Sequence, residues 1–110
     1  NDFSNPYNEH LDLAKKAYGS FHVAAVLCKK DFSLWVRAGD MAVEITDLYT
    51  EAMIFPSTPY FVCEEYRQQK KRWMEEANKD YTAADNLKPP GNNVPAKLAS
   101  THIELGNLAE

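Results

Sequence analysis

The sequence predicts an all-α fold, and three observations carry that expectation. Apolar residues recur at spacings of three and four through long stretches, which is the pattern of one helix face. Clusters of Pro, Gly, Asn, Asp and Ser interrupt those stretches at Lys29 to Ser33, Phe55 to Pro59 and Lys88 to Pro95. No stretch alternates with the period of two that a half-buried strand needs for long enough to claim a sheet.

From Glu9 to Lys29 the residues Leu13, Ala14, Ala17, Tyr18, Phe21, Ala24 and Ala25 share one helix face, weakened slightly by Gly19. From Leu34 to Ile54 the same spacing runs through Trp35, Ala38, Ala42, Ile45, Tyr49 and Ala52. β-Branched and acidic residues thin it near Thr46 and Asp47, where a break is expected. Tyr60 to Asp85 contains no Gly or Pro and carries Glu64, Glu65, Arg67, Lys70, Lys71 and Arg72 at distances that allow pairing three or four apart. It reads as helix throughout.

At 110 residues the chain is one domain at most, and its core must be economical. With 45% hydrophobic and 25% charged residues, neither disorder nor a fibrous class is indicated. A formal charge of -4 argues against a surface built throughout to neutralise phosphates, and leaves room only for a local basic patch. Cys28 and Cys63 stand far apart without a C-x-x-C pair, and no secretory or long apolar run is present. A reducing cytosol or nucleus fits, with both thiols small and buried. Asn1 is not an initiator, so the chain is expected to start after processing or, preferably, inside a larger protein.

Two sets of small and aromatic residues recur in register. In the first, Ala17, Phe21 and Ala24 precede Trp35, with Ala38 and Gly39 three and four residues after it; in the second, Ala77, Tyr81, Ala84 and Pro89 precede Leu98 and Ala99. Small residues let paired helices approach closely, aromatic residues fill the space between units, and Pro ends a helix. In type and spacing these marks resemble the tetratricopeptide repeat (TPR) family, over residues 14 to 45 and 74 to 110. The resemblance implies antiparallel helix hairpins stacked as part of an α-solenoid, and it sets Gly106 on the turn between two helices of the last unit. Tyr49, Ala52 and Pro56 look like the end of a second helix but follow Ile45 too soon, by roughly ten residues of a normal unit. The middle unit is then either degenerate or joins segments that are not adjacent in the full protein.

The stretch FHVAAVLCKKDFSLWVRAGDMAVEI, residues 21 to 45, resembles the units of the large TPR subunits of the RNA polymerase III transcription factor TFIIIC. That resemblance implies a nuclear scaffold bridging the promoter-bound factor and the initiation factor TFIIIB, with protein partners inside a larger complex. A general TPR adaptor would instead be cytoplasmic.

In TPR units the first helix lines the concave groove, so the resemblance places partner contacts at Ser33, Val36, Asp40, Val43 and Glu44, and at Asn93, Ala96, Ser100, Ile103 and Glu104. The plain alternative is that these are solvated faces or are covered by the next unit. Val36 and Asp40 occupy places where chaperone-tail clamps carry Lys or Asn, and an acidic residue would repel a carboxylate ligand. Arg67, Lys70, Lys71 and Arg72, followed by Trp73, form a candidate basic patch for phosphate or an acidic partner, against which Glu64, Glu65, Glu75 and Glu76 weigh as local neutralisers.

Nothing points to catalysis. His10, His22 and His102 lack zinc-ligand spacing, and the latter two read as helix-packing residues. Nucleotide-binding and hydrolase glycine motifs are absent, so no cofactor is implied. A small helical nuclease would need a His four to six residues after an Arg, and none follows Arg37, Arg67 or Arg72 at that distance. The expected function is a protein-interaction scaffold. Its alternative is a free-standing helical-bundle adaptor or regulator, which would require Lys88 to Glu110 to pack back as a capping helix.

Overall fold

Residues 6–87 and 93–108 are described in the computed structural model of the chain. They form four helices, α1 (Asn8–Leu27), α2 (Phe32–Ile54), α3 (Tyr60–Asp85) and α4 (Val94–Leu108), with no strand among the described residues. Local chemistry sets the boundaries. Asp31 has extended backbone, and its side chain accepts the Leu34 N–H at 3.2 Å, satisfying one of the free donors at the start of α2. Pro59 precedes α3 in extended backbone. The turn between α2 and α3 closes through Thr58, whose hydroxyl donates to the Ala52 carbonyl at 2.7 Å.

Each helix packs on its neighbour in chain order. The molecule measures 46 × 28 × 17 Å along its principal axes, an elongated slab in which the long α2–α3 hairpin is the spine. One stripe of α2, Ala38, Ala42, Ile45, Tyr49 and Ala52, is buried along its whole length. The expected break near Thr46 and Asp47 does not occur. The Thr46 hydroxyl donates to the Val43 carbonyl at 2.6 Å and Thr50 to the Thr46 carbonyl at 3.0 Å, so both hydroxyls bond back to the helix they sit in. Tyr49 and Ala52 accordingly lie in the last turns of α2 and not at the end of another helix.

Gly39 is a point of close approach in the spine. A Cβ built on it would stand 2.5 Å from a carbon of the Tyr81 ring, so only a residue without a side chain leaves room for that ring. Tyr81 is itself buried, with Ala77 and Ala84 one helical turn to either side.

Several expectations are corrected by packing. On α1 the buried stripe is Leu11, Ala14, Tyr18 and Ala25; Ala17, Phe21 and Ala24 are only half-buried and Leu13 is 63% exposed. The three-and-four rule permits either stripe, and contact with α2 and α3 selects one. Gly106 lies inside α4 and not on a turn, since a single glycine weakens a helix without having to end it. Val94 and Pro95 belong to the first turn of α4, where a missing N–H removes no helical bond. Cys28 is exposed and Cys63 half-buried, so neither is the buried thiol expected. Pro89, with residues 88–92 and 109–110, lies outside the described residues.

Candidate functional site

Three helices enclose a groove of about 410 Å³. α2 supplies Val43, Thr46, Asp47 and Thr50, α3 supplies Lys70, Met74 and Tyr81, and α4 supplies Lys97, Ser100, Thr101 and Glu104. Two anchors hold α4 on α3. Asn78 Nδ2 donates to Thr101 Oγ1 at 2.8 Å, and Arg67 donates to the Leu108 carbonyl at 2.8 Å. A third crosses to α2, where Lys97 Nζ meets Asp40 Oδ1 at 2.6 Å and the Tyr81 hydroxyl donates to the same oxygen. The Lys97 ammonium also lies 5.6 Å from the centre of the Tyr81 ring. Asp40, Tyr81 and Lys97 thus clasp the three helices together, with Asp40 half in solvent.

The electrostatics of the groove lean acidic. Asp40, Asp47 and Glu104 face Lys70 and Lys97, and the Lys97 charge is already committed to Asp40. Partial burial raises the Asp47 carboxyl above its usual range; Lys70 pulls it down, while Glu104, Glu51 and Glu44 push it up. Burial, and then the bond to Asp40, push the Tyr81 phenol well above its ordinary value, so it stays a donor at every physiological pH.

On the opposite side of α3 lies a second polar group. The Tyr18 hydroxyl donates to Asp80 Oδ2 at 2.9 Å and to Glu76 Oε2 at 3.3 Å, and His22 Nδ1 lies 3.5 Å from Asp80 Oδ1. Tyr18 stacks on the His22 ring and meets Trp73 edge-on at 5.0 Å, and His22 meets Trp35 edge-on at 6.1 Å. The Asp80 side chain is 2% exposed. Burial raises its pKa to about 6, against the lowering influence of Tyr18 and His22. Among the described residues every buried side-chain nitrogen and oxygen has a partner, so this cluster is internally satisfied and serves to fasten α1 to α3.

Of the expected partner contacts, Val43, Ser100 and Glu104 come together in the groove and Asp40 stands at its edge. The others do not join them. Val36 packs against the core, while Ser33, Asn93, Ala96 and Ile103 are exposed elsewhere. Glu44 lines a separate depression between α1 and α2, with His10, Met41 and Leu48. The basic run is dispersed around α3 by helical geometry. Lys70 enters the groove, Arg67 bonds the end of α4, Lys71 is exposed, and Arg72 lies on the α1 side beside Trp73. His22 does pack between helices, whereas His102 is exposed, its Nε2 3.5 Å from Asn78.

Sequence reading missed Asp47, Thr50, Lys97 and Thr101 in the groove, and Glu76 and Asp80 beneath α1. The only available clue to the second group was that Tyr18 and His22, like Glu76 and Asp80, stand four apart and so share a helix face. Among the described residues no three His, Cys, Asp or Glu side chains are placed to hold a metal ion, and no helix is long and apolar enough to cross a membrane. No protein-family profile, curated protein or solved structure matches the chain.

Proposed function

We propose that the chain is a protein-interaction scaffold of TPR-like helix hairpins, whose groove between α2 and α4 receives a partner segment carrying basic residues. One observation carries the reading. Val43, Ser100 and Glu104, taken from the two helices that a TPR register assigns to ligand contact, line a single cavity whose rim carries three carboxylates against two ammonium groups. Met74, Val43 and the Tyr81 ring offer apolar wall for the methylene stem of a Lys or Arg, and Asp47 and Glu104 offer the charge. The narrower reading, a place in RNA polymerase III initiation between TFIIIC and TFIIIB, rests on the resemblance of residues 21–45 alone.

The groove is tested by titrating labelled Lys-rich, mixed and Asp-rich peptides against the chain and against Asp47→Lys with Glu104→Lys. Tighter binding of the basic peptide, lost on charge reversal, supports the scaffold; equal or stronger binding of the acidic peptide sinks it. Pull-down of polymerase III initiation-factor subunits beside a chaperone-tail peptide tests the narrower reading, which capture of the tail alone would overturn. Turnover of RNA by the purified chain would overturn the scaffold assignment itself.

A second reading, the free-standing adaptor, is favoured by α4, which packs back on α3 between the Asn78–Thr101 and Arg67–Leu108 bonds. A single cooperative melt of the chain alone supports that form, and a broad, non-cooperative one supports dependence on neighbouring units.

A further inference from the structure

α4 is seated on the core without help from the lysine in its first turn. Val94, Leu98, Thr101, Leu105 and Leu108 recur at spacings of four, three, four and three and face the core, and the Asn78–Thr101 and Arg67–Leu108 bonds fasten the helix to α3. Lys97 stands off that stripe and crosses to α2. Its ammonium lies 2.6 Å from Asp40 Oδ1 and 5.6 Å from the centre of the Tyr81 ring, while the Tyr81 hydroxyl donates to the same carboxylate oxygen. A carboxylate oriented by a phenol, next to the ring of that phenol, offers a cation both a charge to pair with and an aromatic wall to lie over. Both partners of the ion pair reach water, Lys97 being 28% and Asp40 47% exposed, and a pair in that setting contributes little to stability. The contact can therefore be exchanged for an equivalent one at small cost.

We propose that Asp40 and the Tyr81 ring form the anchoring subsite of the groove for a Lys or Arg side chain of a partner, and that Lys97 is its resident competitor, which a binding segment displaces. The proposal rests on the reading that this groove receives a basic segment. Tyr81 and Lys97 both line the groove and Asp40 stands at its edge, so an incoming cation reaches the subsite from the groove itself. Because Lys97 is tethered beside Asp40, it occupies the subsite at high effective concentration, and the free chain is partly self-occluded. When a partner's cation takes over the contacts to Asp40 and Tyr81, the Lys97 stem stays on the groove wall and its ammonium turns to water. α4 keeps its place throughout, since its apolar stripe and its two bonds to α3 do not involve Lys97.

The test is the affinity of a labelled Lys-rich peptide for the whole chain and for Lys97→Met, which keeps the stem and removes the charge. Clearing the competitor should tighten binding by roughly two- to fivefold, with helical content by circular dichroism unchanged. Asp40→Asn, which preserves the shape of the subsite and an acceptor for the Tyr81 hydroxyl, should cancel the gain from Lys97→Met. Lys70→Met removes the same charge from the same groove without clearing the subsite and should gain less. In the unaltered chain, the ε-CH2 resonances of Lys97, displaced by the Tyr81 ring, should move toward those of a solvated lysine as peptide is added. An equal gain from Lys97→Met in the Asp40→Asn background, or from Lys70→Met, would mark a mere loss of repulsion and overturn the competitor while leaving the groove reading intact. Lys97 resonances that stay in place at saturating peptide would do the same. Binding of the peptide by neither the unaltered chain nor Lys97→Met would overturn the groove reading, and this proposal with it.

Discussion

Against α2, α3 presents Tyr81 with Ala77 and Ala84, and the ring lies on a backbone that has no side chain at Gly39. Against α1, the same helix presents Glu76 and Asp80, which meet the hydroxyl of Tyr18 and the imidazole of His22. The ring-on-backbone part of the first contact is close and shaped by volume; the second is held by directed hydrogen bonds around a buried carboxyl. A close-packed contact tolerates almost no added atom. A polar contact tolerates shape but responds to protons.

The largest expected effect breaks the first contact. Gly39→Leu forces the Tyr81 ring off α2 and should destabilise the chain by about 3 kcal/mol or more, measured by urea unfolding. A loss below about 1 kcal/mol would mean that the ring has room to move and that the contact is not close-packed.

Trp35→Ala probes the border between the two kinds of contact, since Trp35 packs against the core, touches His22 edge-on and donates from Nε1 to the Lys29 carbonyl at 2.9 Å. Because it is only half-buried, the expected loss is about 2–3 kcal/mol, below that of a fully enclosed Trp. Loss of the Lys29 bond should also loosen the turn into α2, visible as faster amide exchange at Asp31 and Leu34.

The polar contact is sharpened by pH. Asp80 has a folded-state pKa of about 6, above that of a carboxyl in an unfolded chain, so the folded form binds this proton more tightly. The resulting stability is present in full below about pH 4 and is lost as pH rises through about 6. Tyr18 and His22 from α1 and Glu76 from α3 are the groups that face this carboxyl. Asp80→Asn should flatten the fall in stability between about pH 4 and pH 6, a change on the order of 3 kcal/mol over the window. An unaltered slope would place the proton uptake elsewhere.

The smallest effect is the counterpart of the first. Gly19 is also a mid-helix glycine, but no atom crowds it, so Gly19→Ala should stabilise the chain by about 0.5–1 kcal/mol through helix propensity alone. If Gly19→Ala and Gly39→Leu moved stability in the same direction, the distinction between an open and a close-packed glycine would fail.

Helical class, the extent of α3 and the breakers before α2 and α3 were legible because they follow from local spacing and from residues that cannot continue a helix. Asp31 as a cap and Pro59 as a start are properties of a few neighbouring residues. So was the small-residue stripe of α2, whose members Ala38, Gly39 and Ala42 become useful only when something large lies against them. Which stripe of α1 turns inward was not legible. Leu13 and Leu11 fit a three-and-four pattern equally well, and contact with α2 and α3, the bonds of Tyr18 and His22 to Asp80 among it, leaves Leu11 buried and Leu13 outside. The groove has the same character. Asp40 and Lys97 stand 57 residues apart, and no local rule joins them. Spacing along one chain decides what becomes a helix, whereas the meeting of side chains from different helices decides which face is buried, where charges pair and where a cavity remains.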